Sequence, residues 1–295
     1  MIGAAGSAIT GQLIATPIAN SLMTGSVRDE AHREHRAAID RALHEQRVDL
    51  IHFHGLDFDN YVPEGDVPMV ATLHLPLAWY RPSALARHDV RLICVSESQA
   101  AGSGLSFVRN GIDIGRFETA AKQDYLLWMG RICPEKGVHI ALEVAHALEM
   151  PLLVAGPVHA FESHQSYFAN EVMPLLDDQR RYLGSVAGEE KSRLISAARC
   201  VLIPSLVAET SSLVAMEAIS SGTPVVAFAN GALPEVVDHG RTGLIVRSQS
   251  EMAESVMRIG TISSHFCRSI ATAKFAASRM ARDYFKIYSS LVRSR

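Results

Sequence analysis

Short apolar runs alternate with stretches of helical pattern along this chain, and the alternation limits the folds that it can adopt. The runs are strand-sized and are bounded mostly by Pro, Gly or Asp, whereas the stretches between them are rich in helix formers. The runs are DLIHF, VPMVATLHL, VRLICVS, YLLWMG, PLLVAG, CVLIP and PVVAF. Strands that alternate with helices predict a parallel sheet covered on both faces, so we expect an α/β fold.

The alternating series runs twice. It restarts after Asn110-Gly111 and a polar stretch, which predicts two doubly wound, Rossmann-like domains in tandem, at residues 1–118 and 119–272. Residues 273–295 complete the chain, and the pattern from Ala271 to Leu291 predicts a helix that could cross back to the first domain. In doubly wound sheets, ligands bind beyond the carboxyl ends of the strands. The motifs described below lie at such ends.

The composition excludes several classes of protein. Of 295 residues, 48% are hydrophobic and 20% charged, with a net charge of -3 and both signs interspersed; nucleic acid is therefore not expected as a partner. No apolar run approaches the ~18 residues that span a bilayer, and the N-terminus lacks a signal peptide's basic start. Peripheral membrane contact stays open. The cysteines form no CxxC motif, which predicts reduced core residues of a cytoplasmic protein. They are Cys94, Cys133, Cys200 and Cys267.

The run YLLWMG leads into a turn that carries two cations. In MGRICPEKG, Gly130 and Arg131 close the strand, and Lys136 follows after a proline. Two cations at one strand end can converge on a dianion such as a diphosphate. A solvated turn whose charges meet only water is the alternative interpretation. The chain has neither a Walker motif nor a GxGxxG motif after a strand, which argues against a P-loop protein and a dinucleotide oxidoreductase.

A polar loop and a helix follow the run CVLIP. Glu209 lies in the loop, and Ser211 and Ser212 are N-cap candidates. The free N–H groups at such a helix start form an anion site. Glu209 could accept hydrogen bonds from sugar hydroxyls, and Glu217, within the helix, could hold a diol such as a ribose. The alternative is one loop acid and one exposed helical acid with no shared role.

Together these motifs resemble the group 1 (E-x7-E) retaining glycosyltransferases of GT-B fold. GRICPEKG and AETSSLVAMEAISSGTPVVAFANGALPEVVDHGRTGLIV carry the resemblance across the second domain, and DLIHFHG, TLHLP and VRNGID extend it loosely into the first. It implies two Rossmann-like domains that face a central cleft. It also implies retaining transfer of a hexose from a nucleotide diphosphate sugar, with a UDP-sugar favoured, without a metal or cofactor. The acceptor would be a sugar, a lipid-linked sugar or a small molecule.

The resemblance also implies roles for individual residues. Arg131 and Lys136 would bind the donor diphosphate. Glu209 would contact the transferred sugar, and Glu217 the nucleotide ribose. In the first domain, His74 of TLHLP would face the reacting centre and complete the catalytic set with the two cations and Glu209. The remaining donor-site residues would be Gly130, Ser211, Ser212, Leu213, Gly231, Ala232 and Leu233.

Three features depart from this scheme or compete with it. The family usually has glycine at the position of Ser212, and serine there could alter the sugar preference. His52 and His54 alternate along a strand and could form a metal site with His74; without a carboxylate at ligand spacing, we interpret them as neutral histidines that line a cleft. Asp57-Phe58-Asp59 matches the DxD motif of the other glycosyltransferase fold, and we interpret it as a solvated loop.

Two other functions stay open. A GT-B epimerase or hydrolase would release free UDP without an acceptor, and a non-catalytic module would bind the nucleotide sugar alone. The abrupt N-terminus suggests the second, because family members usually carry a strand, a glycine-rich loop and a helix before the region that GSAITGQLIATP resembles. We therefore expect a shortened first domain, with complete donor binding in the second domain and slow or absent transfer.

Overall fold

The computed structural model describes residues 1–16 and 25–293, and the chain divides into two compact units. The first unit consists of Met1–Ile93 with Lys286–Arg295, and the second of Cys94–Phe285. The predicted domain ranges stay predictions. The end of the segment GSAITGQLIATP and the last two residues of the range 273–295 lie outside the described residues.

The first unit contains short parallel strand pairs and one long helix. Strands β1 and β2 pair in parallel, as do β3 and β4, and β3, β4 and β5 are neighbours in this order in their sheet. The strands are β1 Ile2–Ala4, β2 Ile14–Thr16, β3 Ile51–Phe53, β4 Met69–Leu73 and β5 Val90–Cys94, and the helices are α1 Gly25–Glu45 and α2 Pro82–Leu85.

Between residues 126 and 258 the second unit alternates strands and helices, as the sequence predicts. Its strands are β6 Ser106–Phe107, β7 Leu126–Met129, β8 Leu152–Ala155, β9 Arg180–Tyr182, β10 Cys200–Ile203, β11 Val225–Phe228 and β12 Gly243–Val246. Its helices are α3 Glu97–Ala100, α4 Val138–Ala147, α5 Glu162–Tyr167, α6 Gly188–Ala197, α7 Leu213–Ser220, α8 Leu233–Val236, α9 Gln249–Arg258, α10 Ser264–Phe275 and α11 Ala277–Arg293. The last residues of α11 belong to the first unit.

Strands β7 to β12 form one parallel sheet in the order β12-β11-β10-β7-β8-β9. Leu126 and Trp128 belong to an apolar cluster with α4 and α9, whereas Leu127 belongs to a second cluster with α6, α7 and α10. Successive side chains of a strand point to opposite faces, so helices cover both faces of this sheet. Burial on both faces explains why β7, β8, β10 and β11 read as continuous apolar runs, in contrast to the edge strand β9. The strand order is that of a doubly wound Rossmann fold.

The C-terminal helical region departs from the prediction of one helix from Ala271 to Leu291. The helix is interrupted at Ala276, which has φ -59° and ψ 129°, so α10 and α11 are separate helices. Ile112 occupies the break: its N–H donates to the carbonyl of Phe275 at 2.7 Å, and its carbonyl accepts from the N–H of Ala277 at 2.9 Å. A long-range backbone pairing thus replaces local helical bonds, and periodicity carries no signal of it.

Two broader predictions can be compared with the described residues. The four cysteines are buried and unpaired, in agreement with core residues. Within residues 1–16 and 25–293, no helix has the length and apolar character needed to cross a membrane.

Candidate active site

The strand order reverses between β7 and β10, which are neighbours in the sheet although two strands separate them in the chain. The connections that leave these two strands diverge, and a crevice opens at such a point beyond the carboxyl ends. The turn after β7 contains Gly130, Arg131 and Lys136, and the loop after β10 contains Glu209. The fold therefore brings both sequence motifs to one place.

An ion pair joins the two motifs. Nζ of Lys136 lies 2.5 Å from Oε1 of Glu209, whose side chain is 9% exposed, against 25% for the lysine. Oγ of Ser205 donates a second hydrogen bond to the same carboxylate oxygen at 2.7 Å. Because a carboxylate has about four acceptor positions, Glu209 keeps capacity for further donors, such as the hydroxyls of a ligand.

The turn that carries Lys136 packs closely against the end of β10. Pro134–Lys136 is a short 3-10 helix, and Gly137 follows it with φ 63°. A Cβ at Gly137 would overlap the carbonyl oxygen of Pro204, so this close approach requires glycine. Arg131 is exposed, and its side chain forms no ion pair within the part of the chain that the structure describes. Lys136 is thus held by its ion pair with Glu209, whereas Arg131, earlier in the same turn, is a solvated cation.

The start of helix α7 supplies hydrogen-bond donors at the same crevice. Ser212 is the N-cap, as predicted, and its Oγ accepts from the N–H of Ala215 at 3.4 Å. Its φ of -124° is extended, so the backbone does not require the family's usual glycine here. The first N–H groups of a helix, here those of Leu213 and Val214, have no intrahelical partner. Oγ of Ser211 is buried and has no hydrogen-bond partner among the described residues.

A pocket of about 120 Å³ lies at this helix start. Its lining includes Gly130, Lys136, Glu209, Ser211, Ser212 and Leu213. The structure thus groups the predicted turn, the loop glutamate and the helix start around one space, and their roles there stay predictions.

The loop after β11 supports Glu209 from behind. Gly231 pairs with Glu209 in an isolated parallel bridge and has φ 59°. A Cβ at Gly231 would overlap the Glu209 backbone, and the N–H of Ala232 donates to the Glu209 carbonyl at 2.8 Å. Leu233 is fully buried in the apolar core. Leu233 is therefore a core residue in this structure, and its predicted contact with a ligand stays a prediction.

Glu217 lies on a different pocket from Glu209. It lines a space of about 960 Å³ together with Lys191 of α6. Nζ of Lys191 lies 2.6 Å from Oε1 of Glu217, whose side chain is 11% exposed. Its Oε2 is buried without a partner among the residues that the structure describes. Glu217 is therefore not an exposed helical acid, and no sequence motif indicated its partner Lys191.

The predicted histidines lie together in the first unit. Nδ1 of His54 and Nε2 of His74 are 2.9 Å apart, so one ring donates to the other. Burial lowers the pKa of both residues, and His54 lowers the pKa of His74 further. Burial and then the two neighbouring histidines lower the pKa of His52 to about 3. These pKa values agree with the predicted neutral histidines, whereas their place in a cleft stays a prediction.

The DxD segment is not the solvated loop that we expected. Phe58 is fully buried. Asp59 is only 9% exposed and lies 2.8 Å from the guanidinium of Arg81. Asp57 lies 2.7 Å from Nε2 of His32, and this neighbour lowers the pKa of the carboxyl group. Both carboxylates therefore have local partners in the fold.

Comparisons with known proteins agree with this fold. Residues 123–261 match the family model described as Glycosyl transferases group 1. A glycogen synthase of Mycobacterium tuberculosis is 32% identical over 222 residues, which cover 61% of this chain and 50% of the relative. A D-inositol 3-phosphate glycosyltransferase of Nocardioides sp. is 31% identical over 197 residues, covering 56% and 43%. The chain thus spans about half the length of the curated relatives that it matches.

Solved structures show the fold. AviGT4, a glycosyltransferase involved in avilamycin A biosynthesis, superposes with a TM-score of 0.71 at 25% identity, over 88% of this chain and 79% of that one. HepE of Anabaena, in complex with UDP-glucose, gives a TM-score of 0.71 at 20% identity, over 87% and 82%. The fold class is therefore GT-B, as predicted. The match of residues 123–261 to the group 1 glycosyltransferase model agrees with the resemblance drawn from the paired glutamates.

Proposed function

We propose that this protein is a retaining glycosyltransferase that transfers a hexose from a UDP-sugar to an acceptor hydroxyl. The observation that carries the proposal is the mostly buried Lys136–Glu209 pair at the point where the strand order reverses. It places a cation suited to a diphosphate beside a carboxylate suited to sugar hydroxyls. The UDP-glucose bound to the Anabaena HepE structure supports a nucleotide sugar as donor, and the name D-inositol 3-phosphate glycosyltransferase supports glycosyl transfer.

The donor would lie along the carboxyl edge of the sheet. Arg131, Lys136 and the first N–H groups of α7 would bind the diphosphate, because a helix start favours anions. Glu209 would bind the hexose. Glu217, whose Oε2 is buried without a partner among the described residues, would accept hydrogen bonds from the ribose. Its pocket of about 960 Å³ is at the upper end of the ~300–1,000 Å³ of ligand sites, which is enough for a nucleoside.

The chemistry follows from where charge develops. As the anomeric C–O bond breaks, negative charge grows on the leaving diphosphate, and fixed cations and N–H groups in a water-poor site stabilise it. A phosphate oxygen on the same face would accept the proton of the acceptor hydroxyl, which gives retention without a dedicated base. The glutamates are then binding groups rather than nucleophiles, and neutral His74 would contact the reacting sugar. Because the protein supplies the positive charge, transfer would need no metal and no cofactor.

A donor panel tests this function. The protein is incubated with UDP-, GDP- and ADP-glucose, and nucleotide release is measured with and without glycogen, inositol 3-phosphate and other sugar acceptors in a cytoplasm-like buffer. We expect acceptor-dependent release from the UDP-sugar, and retention of configuration by NMR of the product. Release that needs no acceptor would instead indicate a hydrolase or epimerase. UDP-sugar binding without any release would indicate a non-catalytic binding module.

A further inference from the structure

A second cluster of chemically reactive side chains adjoins the turn that carries Lys136. Cys133 immediately precedes the 3-10 helix of this turn, Glu135 lies within it, and His164 lies in α5, after the neighbouring strand β8. One potential ligand atom of each residue lies within 4.8 Å of the other two. Cys133 is fully buried and His164 is 8% exposed. The cluster thus joins two connections that leave adjacent strands.

His164 is the residue that points to a missing ligand. Its Nδ1 is buried and has no hydrogen-bond partner in the described ranges of the chain. Buried polar atoms are paired as a rule, and an orphaned one usually indicates a water molecule or an ion. The Sγ of Cys133 donates a weak hydrogen bond to the carbonyl oxygen of Arg131 at 3.4 Å and also interacts with the carboxylate of Glu135. The partners of the buried thiol are thus one backbone carbonyl and another member of the cluster, and the buried imidazole of His164 has an unpaired nitrogen.

The donor set selects the kind of ligand. A thiolate, a carboxylate and an imidazole are the side chains that bind Zn²⁺, whereas Mg²⁺ and Ca²⁺ prefer oxygen alone. One thiolate and one carboxylate also neutralise the two charges of the ion, which matters beside Arg131 and Lys136. Tetrahedral coordination with bonds of about 2.0–2.3 Å needs ligand atoms roughly 3.4–3.7 Å apart. Side-chain shifts of about 1 Å therefore close the present separation.

A fourth ligand is within reach. His159 is exposed in the loop after β8, and its ring centroid lies 6.1 Å from that of His164. A change of rotamer could bring its imidazole towards the cluster. Structural zinc sites use four protein ligands, and sites with three keep a water molecule.

We propose that Cys133, Glu135 and His164 bind one Zn²⁺ ion, with His159 or a water molecule in the fourth position. The ion holds the turn after β7 to α5. The same turn is held to the loop after β10, because the carbonyl of Glu135 accepts from the N–H of Leu206 at 2.8 Å. The metal site is structural: it stabilises the turn that carries Lys136 and takes no part in the proposed transfer step.

Metal binding can be measured without any enzymatic assay. Chelator-treated protein is loaded with Zn²⁺, passed through gel filtration and analysed for metal. Co²⁺ replaces Zn²⁺ in a parallel sample, where a thiolate-to-cobalt charge-transfer band reports the cysteine ligand. The test variants are Cys133→Ala, Glu135→Gln and His164→Gln. The matched controls are Cys200→Ala, a buried cysteine outside the cluster, and His265→Gln, an exposed histidine of the same unit.

We expect about one Zn²⁺ per chain and a cobalt–thiolate band in the wild type and in both controls. Cys133→Ala should abolish the band, and each test variant should weaken Zn²⁺ binding at least ~100-fold, beyond the ~10–100-fold loss typical of an outer-shell partner. Circular dichroism verifies that each variant is folded. If Cys133→Ala unfolds the chain, the Zn²⁺ affinity of the milder Glu135→Gln variant tests the proposal. Absence of stoichiometric Zn²⁺ in the wild type, or equal binding by test variants and controls, would overturn the proposal.

Discussion

Replacing Lys136 by methionine removes the ammonium group that neutralises a mostly buried carboxylate. Breaking a fully buried pair costs about 3–5 kcal/mol, and breaking an exposed pair about 0.2–1 kcal/mol. Glu209 is 9% exposed and Lys136 25%, and the hydrogen bond from Ser205 to Glu209 remains at 2.7 Å. We therefore expect Lys136→Met to lower the free energy of unfolding by about 2 kcal/mol, roughly a 30-fold change in the equilibrium constant.

The fluorescence of Trp128 provides a local assay. Its indole N–H donates to the carbonyl of Lys136 at 3.4 Å, and it is one of two tryptophans in the chain. In a Trp79→Phe background, urea unfolding would therefore report the unit that carries the site. The control is Arg116→Met, because Arg116 and its partner Asp113 are 79% and 63% exposed. Arg116→Met should lower the free energy of unfolding by less than about 0.5 kcal/mol.

A double-mutant cycle separates the ion pair from other effects of the substitution. The double variant Lys136→Met/Glu209→Gln should lose at least ~1 kcal/mol less free energy of unfolding than the two single variants lose together. In a transfer assay, Lys136→Met should also reduce turnover at least ~100-fold, as expected for the loss of a preorganised charge. A Lys136→Met variant as stable as the Arg116 control, or single costs that simply add, would refute the reasoning from the ion pair.

Three further predictions concern binding, metal and pH. In calorimetry, Glu217→Gln should weaken UDP binding by ~1–3 kcal/mol, the range for an unpaired buried polar partner. Glu209→Gln should leave UDP binding unchanged and lose only the extra affinity that the sugar adds. An equal loss of UDP affinity in the two variants would contradict this division. Leaving Mg²⁺ and Mn²⁺ out of the assay, with the structural Zn²⁺ retained, should keep the transfer rate within about twofold, because the protein supplies the positive charge at the diphosphate; a loss that Mn²⁺ reverses would instead assign a role to Asp57 and Asp59. Burial lowers the pKa of His52 from 6.5 to about 3, so between pH 3 and pH 6.5 only the unfolded chain protonates this histidine. The Tm should therefore fall as the pH drops below about 6.5. An equally steep fall of Tm in His52→Gln would exclude this cause.

The local parts of the site could be predicted from the sequence. Ser212 caps α7 and Glu209 lies in the loop before it, because cap preference and the end of an apolar run are properties of neighbouring residues. Strands β7, β8, β10 and β11 could be predicted for a similar reason. Burial on both faces leaves them apolar, and that pattern is visible without any knowledge of the tertiary structure. The edge strand β9, Arg180–Tyr182, has no such pattern and was not predicted.

The contacts that pair distant elements could not be predicted. Lys191 meets Glu217 from another helix, and Asp59 is paired with Arg81 rather than solvated. His164 reaches the cluster at Cys133 across two separate connections. Each contact depends on how the strands are ordered in the sheet or on how loops pack, and a single sequence states neither. His54 and His74 were predicted in part. The sequence indicated both as candidate site residues, but the register of their strands, which brings the two rings together, could not be predicted from it.

The central claim is that the turn after β7 and the start of α7 bind the diphosphate of a UDP-sugar. Hydrogen-exchange mass spectrometry of the full chain, with and without saturating UDP-glucose, tests this location directly. We expect slower amide exchange in residues 130–137 and 210–217, no change in α9, and no protection in Lys136→Met at the same ligand concentration. Saturation with UDP-glucose that leaves exchange in both segments unchanged, or that slows exchange only elsewhere in the chain, would contradict the account.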